Sequence, residues 1–390
     1  MLKIAAFLLI FNFSAFSQDE LIPAESVPSE TIYGSSLTLR PLEVWLDMIN
    51  SAKKTLDIEQ FYVESEKGKE MEPIIKAVRK KAREGVKVRA IFDKAMLKTS
   101  KKYLFLFKGK NMSYRIIDFK KIGGGVQHSK FFIVDGKEVY VGSQNFDWRS
   151  LSQIREFGFR IKSEKAAADF MKIFESDWAG AKNPKKDSFK EIKTDISCEN
   201  PQKGVLLGKE VSYCLAFSPA GGKYPSEINE ILKIINSAKK EISAQVMTYS
   251  DKKKFYELEE AFLYAAQREV KVRLIFSDWA LGEKKDSALR KLCGKKNIEI
   301  KISSIPVSSR GFVPFSRVEH LKYLTADGDM LIASTSNWGK DYFYETRGAA
   351  VIIKGETAGL LGKDLFETAW KSPYVFDFEC TKQYQAKRRE

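Results

Sequence analysis

Histidine is almost missing from this sequence: its 390 residues include only two, His128 and His320. Catalytic zinc sites commonly take two or three imidazoles from the protein. Both histidines here fall in a repeated motif described below, so no histidine and carboxylate cluster remains to hold a metal, and none is expected. Cysteine is sparse as well, at four copies. A catalytic thiol is not expected, because no histidine is left over to activate one. Long apolar runs are also lacking. The stretch 4–13 falls well short of the roughly 20 residues a spanning helix needs, and no later segment comes closer.

What is present is ample material for a large core: 44% of residues are hydrophobic and 12% aromatic. The formal charge of +15 is spread along the chain. A positive surface favours anionic partners such as nucleic acid or acidic lipid headgroups, although the same charge also serves solubility. At the N-terminus Lys3, the apolar residues 4–13 and Ala15-Phe16-Ser17 have the order of a secretory signal cleaved before Gln18. The expected mature protein is secreted or periplasmic. No cysteine follows the signal to carry a lipid anchor. In an oxidising compartment Cys198, Cys214, Cys293 and Cys380 allow three pairings. The preferred one joins Cys198 to Cys214 and Cys293 to Cys380, with four free buried thiols as the alternative.

The chain repeats itself. Residues 49–54, Ile-Asn-Ser-Ala-Lys-Lys, recur at 235–240; residues 86–89, Val-Lys-Val-Arg, recur at 270–273. So long a period means a duplicated domain rather than a solenoid. Each half reads as an amphipathic helix (41–52; 225–238), an apolar strand (56–62; 242–249), a second helix (70–84; 257–268) and a strand (86–92; 270–276). The first half then has a hairpin, 131–134 and 138–142, turning at Asp135-Gly136. Alternating strands and helices predict an α/β fold of two similar lobes, each a mixed sheet covered by helices. Residues 1–17 are assigned to the signal, 18–185 to the first lobe, 186–212 to a linker rich in Lys, Asn, Pro and Ser, and 213–390 to the second lobe.

The repeat carries its chemistry twice. His128-Ser129-Lys130-Phe131-Phe132-Ile133-Val134-Asp135 and His320-Leu321-Lys322-Tyr323-Leu324-Thr325-Ala326-Asp327 both fit HxKxxxxD. Residues two apart on a strand share a face, so each histidine can point at a ligand together with its lysine. If the lobes pack about a pseudo-twofold axis, two imidazoles and two ammonium groups meet in one pocket suited to a phosphate. One imidazole would attack phosphorus to form a phosphohistidine while the other protonates the leaving oxygen, with Lys130 and Lys322 stabilising the non-bridging oxygens. Asp135 and Asp327, at strand ends, are expected to order the site rather than react. Downstream lie Gly142-Ser143-Gln144-Asn145 and Ser334-Thr335-Ser336-Asn337. Asn145 and Asn337 are candidate amide donors to phosphate, with Ser143 and Thr335 in support. Glu156 and Glu345 are candidates to hold the imidazole tautomers.

At these residues the chain resembles the phospholipase D superfamily, whose members carry two HxKxxxxD motifs, each followed by a GSxN-like segment. Residues 145–151 and 335–343 are similar to segments of the branch that contains the lysosomal phospholipase D3 and D4 proteins. The resemblance implies a single active site between the lobes, no cofactor, 5′ exonuclease action on single-stranded DNA or RNA, and His128 as the nucleophile. Ser334 departs from the pattern where the first half has Gly142, and Glu345 stands closer to its asparagine than Glu156 does.

Trp148, Trp338, Tyr342 and Phe343 lie close enough in sequence to stack bases in a basic groove, with core packing as the competing reading for at least two of them. A phospholipase or phosphatidyltransferase acting on phospholipids is the second reading; its best support is the lysine-flanked run 103–107 as an interfacial segment, with a buried strand as the competing reading of that run. An inactive nucleic-acid-binding module is a third, opposed by both motifs being intact. A homodimer is left open.

Overall fold

The computed structural model describes residues 18–283 and 285–390; the expected signal segment therefore lies outside the described residues. The described helices and strands follow the repeat. The first-half helix Pro41–Ser51 starts on a proline, whose fixed φ suits a first helical turn. The next, Met71–Arg83, buries Met71, Ile74, Ile75, Val78 and Ala82 on one stripe and places Lys80, Lys81 and Arg83 at its negative C-terminal end. Their second-half counterparts are Glu227–Ser237 and Glu257–Gln267.

The strands of both halves join one 16-stranded sheet. In the first half Thr55–Gln60 pairs parallel with Lys87–Asp93 and antiparallel with Phe131–Val134. In the second half Glu241–Val246 pairs in the same way with Lys271–Ser277 and Lys322–Ala326. Helices from each half cover the sheet, and the two halves share a continuous apolar core that runs from Leu21 to Phe378.

The region expected to be a linker is only partly one. Gln202–Leu206 and Lys209–Ser218 form strands, and the second pairs along its length with Gly348–Lys354. A strand near the start, Asp19–Ser26, pairs parallel with Gln202–Leu206 and antiparallel with Glu156–Lys162. These strands fuse the lobes into one sheet. Alternating apolar residues such as Val211, Tyr213 and Leu215 allow them to do so, a period that the surrounding lysines and glutamates obscure. The disulfides are Cys198–Cys214 and Cys293–Cys380, the preferred pairing. No helix among the described residues is long and apolar enough to cross a membrane.

Candidate active site

Each histidine is held in place by the opposite lobe. The backbone N–H of His128 donates to the carbonyl of Arg347 at 2.9 Å, and that of His320 to the carbonyl of Arg155 at 2.9 Å. Parallel bridges between Gln127 and Arg347 and between Arg155 and Glu319 carry these contacts. Both arginines are fully buried. Arg347 is clamped by Asp177 at 2.7 and 2.9 Å, and Arg155 by Glu25 at 3.1 Å and Glu319 at 3.4 Å. A buried guanidinium requires such partners, because an unpaired charge away from water is prohibitively costly. Neither arginine was singled out by the sequence; their only signal is adjacency to Glu156 and Thr346.

The two histidines open into one cleft of about 830 Å³, whose walls include Asn145, Asn337, Trp148 and Tyr342. A larger groove of about 1370 Å³ lies beside the Cys198–Cys214 bridge, lined by exposed lysines and neither histidine. The smaller cleft is the one that both motif histidines line. Lys130 donates its ammonium to the carbonyl of His128, and Lys322 donates to that of His320 at 2.6 Å. The His128 ring sits between Phe61 and Tyr342, with centroids 4.9 and 5.1 Å away. Phe61, which the sequence reading missed, also stands 5.2 Å from the Lys130 ammonium.

The two rings have different partners. His128 Nδ1 lies 3.0 Å from the Thr335 carbonyl. A carbonyl only accepts, so Nδ1 carries the proton and Nε2 keeps its lone pair. His320 Nδ1 lies 3.2 Å from Glu156 Oε1, in contact but without the alignment of a full hydrogen bond. Glu156 is fully buried and also accepts from Ser150 at 2.9 Å. Burial pushes its pKa up to about 8, against the pull of Lys322. Burial, then the lysines, keeps both imidazoles well below their ordinary pKa. Lys130 is lowered by burial and by Lys322, and burial brings Lys322 down to about 7.

Several sequence expectations need correction. Glu345 does not reach His128: it pairs with Lys253 at 2.6 and 2.7 Å at the surface, and the tautomer-setting acceptor is the Thr335 carbonyl. Asp135 and Asp327 stand away from the cleft. Asp135 accepts the backbone N–H groups of Lys53, Lys54 and Thr55 at 2.7–2.8 Å, and Asp327 those of Lys239, Lys240 and Glu241 at 2.8–3.1 Å. They fasten the loop between each first helix and strand. Trp338 and Phe343 belong to the core. Trp338 packs against Tyr249, Phe262 and Phe276, and Phe343 against Phe255. Trp148 and Tyr342 do line the cleft, and the Tyr342 hydroxyl accepts from Asn337 at 3.0 Å.

Asn145 and Asn337 each leave a buried amide oxygen without a partner. Ser143 and Thr335 play matching parts: each hydroxyl accepts a strand N–H, from Phe157 and Ala349 respectively, at 3.0 Å. One further residue was missed. Glu227, buried at the start of its helix, accepts from Ser334 and, at 2.9 Å, from Ser336, and so holds the turn that presents the Thr335 carbonyl to His128.

The family model described as "Cardiolipin synthase, PLD-like domain" matches twice, over residues 45–178 and 231–370, once in each half. The chain belongs to this PLD-like family. It is 29% identical to the Xenopus laevis 5′-3′ exonuclease PLD3, across 95% of this chain and 83% of that protein. It is 28% identical to the mouse 5′-3′ exonuclease PLD4, across 92% and 80%. Its fold is similar to the phosphatidylserine synthase of Haemophilus influenzae Rd KW20, with TM-score 0.65 and 13% identity over 86% of this chain and 85% of the other.

Proposed function

We propose that this protein is a phosphodiesterase that cleaves single-stranded nucleic acid from the 5′ end through a phosphohistidine. The observation that carries the reading is the unequal pair of histidines opening into one cleft, each with its motif lysine buried beside it. His128 Nε2, its lone pair free, attacks phosphorus; the N–P bond forms as the P–O bond to the leaving oxygen breaks. His320, in contact with the Glu156 carboxyl and protonated once the anionic phosphodiester lies against it, supplies that oxygen with a proton. His320 then takes a proton from water, the hydroxide attacks phosphorus, and the N–P bond breaks to release the product and His128. Lys130, Lys322, Asn145 and Asn337 surround the non-bridging oxygens, where charge develops. No cofactor enters these steps.

Substrate class rests on the relatives, named as 5′-3′ exonucleases, and on the +15 charge. The two disulfides fit an oxidising compartment, in keeping with export after cleavage near Ser17. One observation favours a lipid substrate: in the turn Leu104–Phe107, Phe105 is 67% exposed among lysines. Hydrolysis of an end-labelled single-stranded oligonucleotide in EDTA, beside a phosphatidylcholine and cardiolipin assay, tests both. Stepwise 5′ products, lost in His128→Ala and His320→Ala, support the nuclease. Intact oligonucleotide with released headgroup moves the same site to lipid.

A further inference from the structure

The two halves differ most where they approach the cleft. Between the strand Met112–Ile117 and His128 the first half has only residues 118–127, whereas between Ile298–Ser303 and His320 the second half has residues 304–319. The longer loop forms the rim of the cleft. Its Val313, Pro314 and Phe315 line the same cavity as both histidines.

This loop is fixed from below and apolar on top. Arg317 donates to the carbonyls of Pro306 at 2.6 Å and Ser29 at 2.7 Å, and Arg149 donates to that of Pro314 at 3.1 Å. Phe315 and Arg317 hold φ of 57° and 55°, conformations that bulky residues adopt only when their surroundings enforce them. The phenyl rings of Phe312 and Phe315 are each left 41% exposed. Cations stand beside both: the Arg388 guanidinium is 4.7 Å from the Phe312 ring, and that of Arg149 is 5.9 Å from Phe315. Trp279 lies 6.3 Å from Phe315, and the buried indole N–H groups of Trp279 and Trp148 have no partner.

We propose that the 304–319 loop is a stacking platform that holds the bases of a single-stranded oligonucleotide beyond the scissile phosphate. This rests on the nuclease reading and adds where the strand runs. Two exposed rings, Phe315 on the wall of the phosphate pocket and Phe312 beside it with the Arg388 guanidinium against it, match the flat bases that a single strand offers. A membrane contact would instead need a wider apolar face than two phenyl rings provide.

The test is steady-state kinetics on a long single-stranded oligonucleotide and on p-nitrophenyl methyl phosphate, which fills only the phosphate pocket. The F312A/F315A variant should raise KM for the oligonucleotide about tenfold or more. F312A alone, which alters one surface ring, should raise it about fivefold, and tyrosine at both positions should restore it. Wild-type oligonucleotide KM in F312A, with small-diester activity intact, overturns the platform. So does loss of binding to phosphatidylglycerol vesicles with oligonucleotide KM unmoved, which would assign the loop to a membrane. Wild-type protein that hydrolyses the small diester but no oligonucleotide would instead overturn the nuclease reading, and the platform with it.

Discussion

Glu156 and Gly348 occupy the same position in the two halves of the sheet. Glu156 precedes Phe157, whose carbonyl accepts the Ser143 N–H and whose N–H donates to the Ser143 hydroxyl, just as Gly348 precedes Ala349, which pairs in the same way with Thr335. The first half therefore places a carboxyl where the second has no side chain. A Cβ at Gly348 would lie 2.5 Å from both Ser218 Oγ and Ser336 Oγ and 3.1 Å from Glu227 Oε2, so the space is already filled by two serine hydroxyls and the helix carboxylate. This difference gives the two histidines unequal surroundings.

That inequality predicts a leaving-group effect. p-Nitrophenolate departs without needing a proton, whereas a nucleotide alkoxide requires one. H128A should abolish turnover of both an oligonucleotide and p-nitrophenyl methyl phosphate. H320A should lose about 10²–10⁴-fold on the oligonucleotide and much less in the first, product-releasing step on the nitrophenyl ester, read as a burst of nitrophenolate. Equal losses for the two variants in that burst would contradict the assignment.

The pH dependence should follow Lys322. Burial lowers its pKa to about 7, so the ammonium that receives the phosphate is present below that pH and lost above it. kcat/KM, which reports the free enzyme, should therefore fall as pH rises through about 7. K322R, whose guanidinium stays charged, should carry the alkaline fall to higher pH even if its rate is lower. An alkaline limb that stays in place in K322R would assign it to another group.

Asp135 should prove structural. It satisfies three backbone N–H groups and itself sits at φ 54°, a conformation asparagine tolerates well. D135N should lower stability by about 1–2 kcal/mol in chemical denaturation while leaving kcat/KM near wild type. A large drop in kcat with unchanged stability would return Asp135 to the active site.

The contrast between Asp135 and Glu156 shows what the sequence could convey. Helix and strand periodicity, the repeat and the paired HxKxxxxD motifs were readable because each is a local pattern. So were the hairpin at Asp135-Gly136 and the second-half helix 257–268, which matches Glu257–Gln267 closely. Glu345 was matched to Glu156 by residue type, but strand register makes Gly348 the counterpart, and register appears only once the strands are paired. The clamps on Arg155 and Arg347 were hidden for the same reason, since Asp177 and Glu319 are far from them in sequence. Trp338 and Phe343 lie near the motif in sequence yet face the core.

The cross-lobe clamp makes its own prediction. R347M leaves Asp177 buried without its cation and should destabilise the protein by about 3–5 kcal/mol. R347M/D177L, which removes both charges, should recover part of that loss in the same denaturation experiment. Equal destabilisation of the single and double variants would show that the ion pair itself is not what holds the strand.

The central claim is the covalent bond to His128. A labelled single-stranded oligonucleotide mixed with enzyme, quenched in alkaline denaturant and digested for mass spectrometry should leave a nucleotide phosphate on the peptide containing His128. The adduct should be missing from H128A, and in H320A it should accumulate from a p-nitrophenyl nucleotide ester, whose leaving group needs no proton and whose adduct is then hydrolysed slowly. An adduct on His320, or cleavage that persists in H128A, would contradict the account.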